Sequence, residues 1–120
     1  MEAFENLEVW KRSSRLCVAL YKQLRDCKDR GFKDQATRSA LSVPSNIAEG
    51  YERDSLNNEY IRFLRIAKGS CGELRTQLYI GQEVGLLGDE QAIKFVNEAG
   101  EIALMLNGLI RALQAKAERV

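Results

Sequence analysis

The sequence predicts an all-α protein, an antiparallel up-down-up-down four-helix bundle in a single domain spanning residues 1–120. Apolar residues recur at steps of three and four along four segments, which is the spacing of amphipathic helices. No segment alternates between apolar and polar residues as a half-buried strand does. The connections are roughly three to six residues long, a length that suits antiparallel neighbours in a bundle.

The first helix is predicted over residues 5–28, with Gly31 ending it because glycine accepts the left-handed conformation that follows many helices. Steps of three and four define its predicted core stripe, which contains Leu7, Trp10, Ser14, Cys17, Tyr21 and Leu24.

The second helix is predicted over residues 33–53 and contains Pro44, the only proline of the chain. A proline inside a helix costs about 3 kcal/mol, because it removes one backbone donor and crowds the carbonyl of Ala40. We therefore expect a helix that is kinked at Pro44 but continuous. Hydrogen bonds from Ser42, Ser45 and Asn46 are expected to satisfy the backbone groups that the kink frees.

The third helix is predicted from an N-cap at Ser55 to Val84, and the fourth from a cap at Asp89 to Ala115. Gly85 and Gly88 are expected to bracket the short turn between them. Five further glycines fall inside predicted helices, where each costs roughly 0.5–1 kcal/mol relative to alanine. They indicate either close backbone approach or helices that are not optimised for stability: Gly69, Gly72, Gly81, Gly100 and Gly108.

Several apolar residues lie off the predicted core stripes and indicate self-association. One four-helix layer does not easily bury a second stripe, and exposed apolar stripes usually mark protein interfaces. Scattered exposed apolar residues are the ordinary alternative. The candidate interface residues are Val9, Leu16 and Leu20 of the first helix and Ile61 and Ile80 of the third.

Basic residues form arcs on two predicted helices, and these arcs are candidate phosphate contacts. They contain Lys11, Arg15 and Lys22 on the first helix and Arg62, Arg65 and Lys68 on the third. The net charge of +1 gives no overall basic excess. The alternative is a solvated, ion-paired face in which Glu8 pairs with Lys11 or Arg12.

Catalytic residues are scarce. The chain contains no histidine, which excludes His-based triads, His metal ligands and the Glu-x-x-His pairs of di-iron bundles. No enzyme activity, metal or cofactor is expected. The three cysteines lack CxxC spacing and are predicted to be free thiols. Without a secretory signal or a run of about 20 apolar residues, we expect a cytoplasmic protein with no membrane contact.

Residues 35–50, QATRSALSVPSNIAEG, carry the most specific motif of the chain, with FENLEVW at 4–10 and EYIRFLRIAKGS at 59–70 flanking it. These segments resemble the four-helix-bundle family of bacterial 23S ribosomal RNA intervening-sequence proteins, to which the accessory variability protein of diversity-generating retroelements is related. The residues that carry the central motif are Ser42, Pro44, Ser45, Asn46, Glu49 and Gly50.

The resemblance implies a cytoplasmic homopentameric ring. It implies ribosomal RNA or other nucleic acid as a partner, and a reverse transcriptase in the retroelement branch. It also adds Arg38 to the candidate nucleic-acid-binding residues, since the family commonly carries two adjacent arginines before the proline segment. The expected function is a non-catalytic adaptor that binds structured RNA or RNA/DNA through basic outer faces. The alternative is a protein-interaction scaffold with no nucleic-acid role.

Overall fold

The computed structural model describes residues 3–53 and 57–118, which form a short 3-10 turn and four α-helices. The turn is Phe4–Asn6, and the helices are α1 (Glu8–Gln23), α2 (Arg30–Glu52), α3 (Asn57–Glu83) and α4 (Asp89–Glu118). Each helix packs on the next, and α4 returns to pack on α1. In the described residues the backbones of α1 and α3 are not neighbours, so these two helices occupy opposite corners of the bundle. The predicted all-α up-down bundle is confirmed.

Each helix contributes fully buried side chains to one apolar core, among them Leu20, Ile47, Leu64 and Leu106. Burying a leucine or isoleucine side chain stabilises a fold by about 1.5–3 kcal/mol. Across residues 3–53 and 57–118, no helix combines the length and the apolarity that crossing a bilayer requires.

The core face of α1 differs from the predicted one. Val9, Leu16 and Leu20, expected at a subunit interface, are only 5%, 6% and 0% exposed and belong to the core. Tyr21, expected in the core, is 45% exposed. Cys17 and Leu24 of the predicted stripe are buried as expected, at 5% and 1% exposed. The face that meets α2 and α4 therefore lies between the two apolar stripes of this segment and takes residues from both, which helical periodicity alone does not tell.

The two interface residues predicted on α3, Ile61 and Ile80, differ in their exposure. Ile61 is 6% exposed and packs in the core, because its side of α3 is covered by the rest of the bundle. Ile80 is 54% exposed. Two apolar residues on the outer face of α4 are also exposed, Ile93 at 53% and Leu104 at 65%. Ile80 is therefore the one member of the predicted interface set that lies on the surface of the subunit.

The connection between α1 and α2 is governed by Asp29 and not by Gly31. Asp29 is the N-cap of α2, and its Oδ1 accepts a hydrogen bond from the backbone N–H of Phe32 at 3.0 Å. Gly31 lies in the first turn of α2, so the prediction that it ends α1 is wrong. A side-chain acceptor at an N-cap satisfies an unpaired helical donor, which favours a helix start here.

As predicted, helix α2 continues through Pro44; the structure also shows that this proline is buried, and a kink there stays a prediction. The expected compensation takes a different form. The Asn46 side-chain amide donates to the carbonyl of Ser42 at 2.8 Å and to the Ser42 hydroxyl at 2.9 Å, not to the carbonyl of Ala40 that faces the proline. The Asn46 amide therefore reinforces the turn that contains the proline, without replacing the lost bond.

The turn between α3 and α4 follows the prediction that glycine closes it. Gly85 has a φ of +81°, which glycine adopts without strain. The N–H of Leu86 donates to the carbonyl of Gly81 at 2.8 Å, and that of Gly85 to Gln82 at 3.2 Å, the bond pair of a Schellman motif. Asp89 is the first residue of α4 and not its cap. The predicted N-cap of α3, Ser55, lies outside the described residues.

Close approach at a glycine is found at one of the five predicted positions. A Cβ on Gly81 would lie within contact distance of the Phe32 ring, so the two helices approach there. At the other four a Cβ would meet nothing within 4 Å, so close packing inside the subunit does not explain these glycines: Gly69, Gly72, Gly100 and Gly108.

Candidate nucleic-acid interface

The seven predicted cations lie on three helices and do not form a single surface. They are Lys11, Arg15 and Lys22 on α1, Arg38 on α2, and Arg62, Arg65 and Lys68 on α3. Because α1 and α3 are at opposite corners of the bundle, their two basic arcs face different directions within one subunit. Each arc is therefore a separate candidate.

Arg62 is held in a cluster at the end of the bundle. Its Nε donates to Oε2 of Glu59 at 3.0 Å, and its guanidinium carbon lies 4.5 Å from the ring centroid of Phe63. Arg53 lies 5.3 Å from the same centroid and pairs with Glu49 at 2.7 Å. The hydrogen bond that Arg53 donates to the Glu49 carboxylate raises the pKa of Arg53. Both guanidinium charges are partly compensated, which lowers their value as phosphate contacts.

The α1 arc is also partly compensated, though not through the predicted pairs. Glu8 lies 3.7 Å from Arg15 and makes no ion pair with Lys11 or Arg12 among the described residues. Arg12 reaches across to α4, where its Nε donates to Oε2 of Glu98 at 3.0 Å, and this bond raises the Arg12 pKa. Glu8 therefore pairs with a residue seven positions further along the chain, and the predicted pairs at three or four positions are not formed among the described residues.

A cavity of about 690 Å³ lies between α1 and α4 and is lined by Arg15 and Lys22 of the predicted set. Leu16, Ala19 and Phe95 give it an apolar floor. Lys94 adds a cation, whereas Glu98 and Glu101 add carboxylates. Its mixed charge makes it a weaker phosphate site than a purely basic surface.

Arg65 and Lys68 of α3 converge with Arg111 of α4 on a cavity of about 490 Å³. Gly69, Asn107, Ile110 and Gln114 complete its walls. In the part of the chain that the structure describes, none of the three cations takes part in an ion pair. Their charges are therefore available to an external anion.

This cavity continues along the same pair of helices into a second one of about 630 Å³, which shares Lys68 and Asn107 with the first. The second cavity adds Arg75 and Tyr79 of α3 and Glu101 of α4. We call the two cavities together the α3–α4 groove. Its charged lining residues are the four cations Arg65, Lys68, Arg75 and Arg111 and the single acid Glu101.

Sequence reasoning missed Arg75 and Arg111. Arg75 follows Lys68 by seven residues, two turns of helix, so the α3 arc could have been extended to it. Its Nε is buried without a hydrogen-bond partner among the described residues. Arg111 carried no signal within its own helix, since it joins the α3 cations only when α4 packs against α3.

The polar face around Pro44 is partly internal. The Ser42 hydroxyl lies 2.8 Å from that of Ser70 on α3, and Ser70 is only 5% exposed. A Cβ on Gly50 would lie 2.7 Å from Cβ of Phe63, so this glycine allows α2 and α3 to approach. Arg38 and Ser45 are exposed on the outer side of α2. The motif thus serves packing between α2 and α3 and leaves only its outer side open to a partner.

The two buried cysteines, Cys17 and Cys71, are poor nucleophiles. Burial raises the pKa of the Cys71 thiol to about 11, with Arg75 acting weakly in the opposite direction. Burial also raises the pKa of Cys17. A thiol that stays protonated at neutral pH is a poor nucleophile, because the thiolate is the reactive form.

Comparison with known proteins gives a family. The family model described as 23S rRNA-intervening sequence protein matches residues 5–108. Among solved structures, the chain is similar to a protein of unknown function from the S23 ribosomal protein family of Bacteroides thetaiotaomicron. That similarity has a TM-score of 0.76 and 25% sequence identity, over 85% of this chain and 97% of that one. A comparison with curated proteins gave no match. Since the family model covers well over half of the sequence, the chain belongs to the 23S rRNA-intervening sequence protein family.

Proposed function

We propose that this protein is a non-catalytic, homo-oligomeric adaptor that binds structured RNA or RNA/DNA through the α3–α4 groove. The observation that carries the proposal is the convergence of Arg65, Lys68 and Arg111 on one cavity without ion-pair partners among the described residues. Cations already paired with carboxylates lose part of their attraction for phosphate, whereas unpaired cations retain it.

Repetition of the groove in a ring would strengthen binding. Each subunit would present the same four cations, and linked weak contacts bind far more tightly than single ones. The ring of five and the retroelement relationship are what the resemblance implies. For the intervening-sequence branch we favour ribosomal RNA as the partner. For the retroelement branch we favour a reverse transcriptase.

Salt-dependent binding tests the nucleic-acid role. We expect the affinity for a structured RNA to fall steeply between about 50 and 200 mM salt, because bound cations release counterions. Arg65→Gln or Arg111→Gln should weaken binding and reduce the log–log salt slope by about 0.7–0.9 per contact. Arg62→Gln is the matched control, since Arg62 is already paired with Glu59. Absence of binding at the lowest salt concentration contradicts the proposal.

Light scattering tests the assembly. Ile80, predicted at the interface, is 54% exposed, and such a residue accepts glutamate without disturbing the core of the subunit. We expect Ile80→Glu to lower the mass while circular dichroism keeps its helical signal. Leu16→Glu should unfold the bundle, because Leu16 is only 6% exposed. An unchanged mass for Ile80→Glu places the subunit contact elsewhere.

A protein-interaction scaffold is the second candidate function, and the α1–α4 cavity favours it. The cavity measures about 690 Å³, and its floor of Leu16, Ala19 and Phe95 is apolar, as in grooves that bind the apolar face of a partner helix. Substitutions in the α3–α4 groove separate the two functions. The adaptor loses nucleic-acid binding when Arg65 and Arg111 are replaced, whereas the scaffold has no such binding to lose.

A further inference from the structure

We infer that the α3–α4 groove takes an unpaired stretch of nucleic acid, with the ring of Tyr79 as a stacking platform at one end. This inference rests on the proposed function and specifies its ligand. A single strand differs from a duplex in exposing base faces and base edges along with its phosphates. The groove carries a separate kind of side chain for each of these three features.

The order of the lining residues matches a strand lying along α3. The cavity of Arg65, Lys68 and Arg111 comes first, Arg75 follows, and Tyr79 lies beyond it. From Arg65 to Tyr79 the helix rises about 21 Å at 1.5 Å per residue. Known single-strand sites hold about 4–16 nucleotides, and this length suits the lower end of that range.

Tyr79 supplies the aromatic surface. Its side chain is 53% exposed although it lines the second cavity. Gly100 lines the same cavity, and a Cβ there would meet nothing within 4 Å, so no side chain fills that position. Exposed rings in cationic grooves bind bases by stacking, and this interaction tolerates any base because each has a π-face.

The remaining polar side chains suit base edges better than phosphates. Asn107 and Gln114 are half-buried in the groove, and each amide both donates and accepts hydrogen bonds. Glu101 lies in the cavity of Tyr79, where its negative charge repels phosphate and its oxygens accept from exocyclic base amines. Only unpaired bases offer all of these edges, because pairing occupies them in a duplex.

Fluorescence anisotropy at constant low salt tests the inference on the 120-residue protein. The probes are a labelled mixed-sequence single-stranded RNA of about 12 nucleotides and the same strand annealed to its complement. We expect the single strand to bind about tenfold more tightly. Tyr79→Ala should weaken single-strand binding about tenfold and leave duplex binding unchanged, while Tyr79→Phe keeps the wild-type affinity.

Tyr21→Ala is the matched control, because Tyr21 is 45% exposed on α1, away from the groove. Asn107→Ala is a second test, with an expected several-fold loss for the single strand, and circular dichroism verifies that every variant is folded. Equal affinity for both probes, or equal behaviour of Tyr79→Ala and Tyr21→Ala, overturns the inference and leaves the proposed function standing. Failure of both probes to bind overturns the two together.

Discussion

The guanidinium of Arg12 on α1 donates to both carboxylate oxygens of Glu98 on α4, with its Nε 3.0 Å from Oε2. Among the ion pairs of residues 3–53 and 57–118, this one alone joins two helices. It spans α1 and α4, the first and last helices of the bundle, beside the cavity that Glu98 lines between them. The pair therefore links α1 to α4 at a place where apolar side chains do not fill the space between the two helices.

We expect Arg12 and Glu98 to be coupled in stability. A double-mutant cycle with Arg12→Gln and Glu98→Gln should give a coupling energy of about 1 kcal/mol, since the geometry is bidentate but the side chains are 30% and 34% exposed. Added salt should reduce it. The exposed pair of Arg15 and Glu8, 3.7 Å apart, is the control and should couple by close to zero. Equal coupling in both cycles contradicts the prediction.

Gly81 and Gly72 should respond oppositely to alanine. A Cβ at Gly81 falls into the ring of Phe32, so Gly81→Ala must displace the ring and should cost about 1–3 kcal/mol. A Cβ at Gly72 meets nothing within 4 Å, and Gly72→Ala should stabilise by roughly 0.5–1 kcal/mol through helix propensity. Denaturant unfolding at equal subunit concentration measures both changes. Destabilisation by Gly72→Ala would instead place a neighbouring subunit at that position.

Ser42 and Ser70 should show the cost of an unpaired buried hydroxyl. Their oxygens are 2.8 Å apart, and Ser70 is 5% exposed. Ser42→Ala should cost about 1–3 kcal/mol, because the Ser70 hydroxyl loses its partner. The double variant Ser42→Ala, Ser70→Ala should recover part of that loss, since no hydroxyl is then stranded. Additive losses in thermal unfolding would show that the two hydroxyls act independently.

Cys71 should make stability fall at alkaline pH. Its folded pKa is raised by burial from a usual value near 9 to about 11. Between these values the unfolded thiol ionises before the folded one, so the folded state holds more protons and stability falls as pH rises. Cys71 contributes a slope of up to about 1.4 kcal/mol per pH unit in that window and none below it.

Chemical unfolding of the wild type and of Cys71→Ala between pH 9 and 11 measures this slope. The variant should be less stable at neutral pH but show a shallower loss at alkaline pH. Cys27→Ala is the control, because Cys27 is only partly buried. Identical slopes for the wild type and Cys71→Ala would contradict the expected linkage.

The candidate site shows where sequence patterns stop being informative. The sequence pairs Arg65 with Lys68 because they lie three positions apart on one helix, and such neighbours share a face. Arg62 fits the same pattern but is tied to Glu59 and Phe63. Helical periodicity tells which face of a helix carries a charged side chain. It does not tell whether that side chain already forms an ion pair with a carboxylate or packs on an aromatic ring.

By itself, the sequence determined four helices, their short connections, the glycine-closed turn at Gly85 and the passage of α2 through Pro44. These features depend on residues a few positions apart, so local spacing encodes them. Tertiary structure decided which side of α1 enters the core and which cations remain unpaired. It also brought Arg111 to Arg65 and Lys68. These outcomes depend on contacts between helices, where distance along the chain no longer measures distance in space.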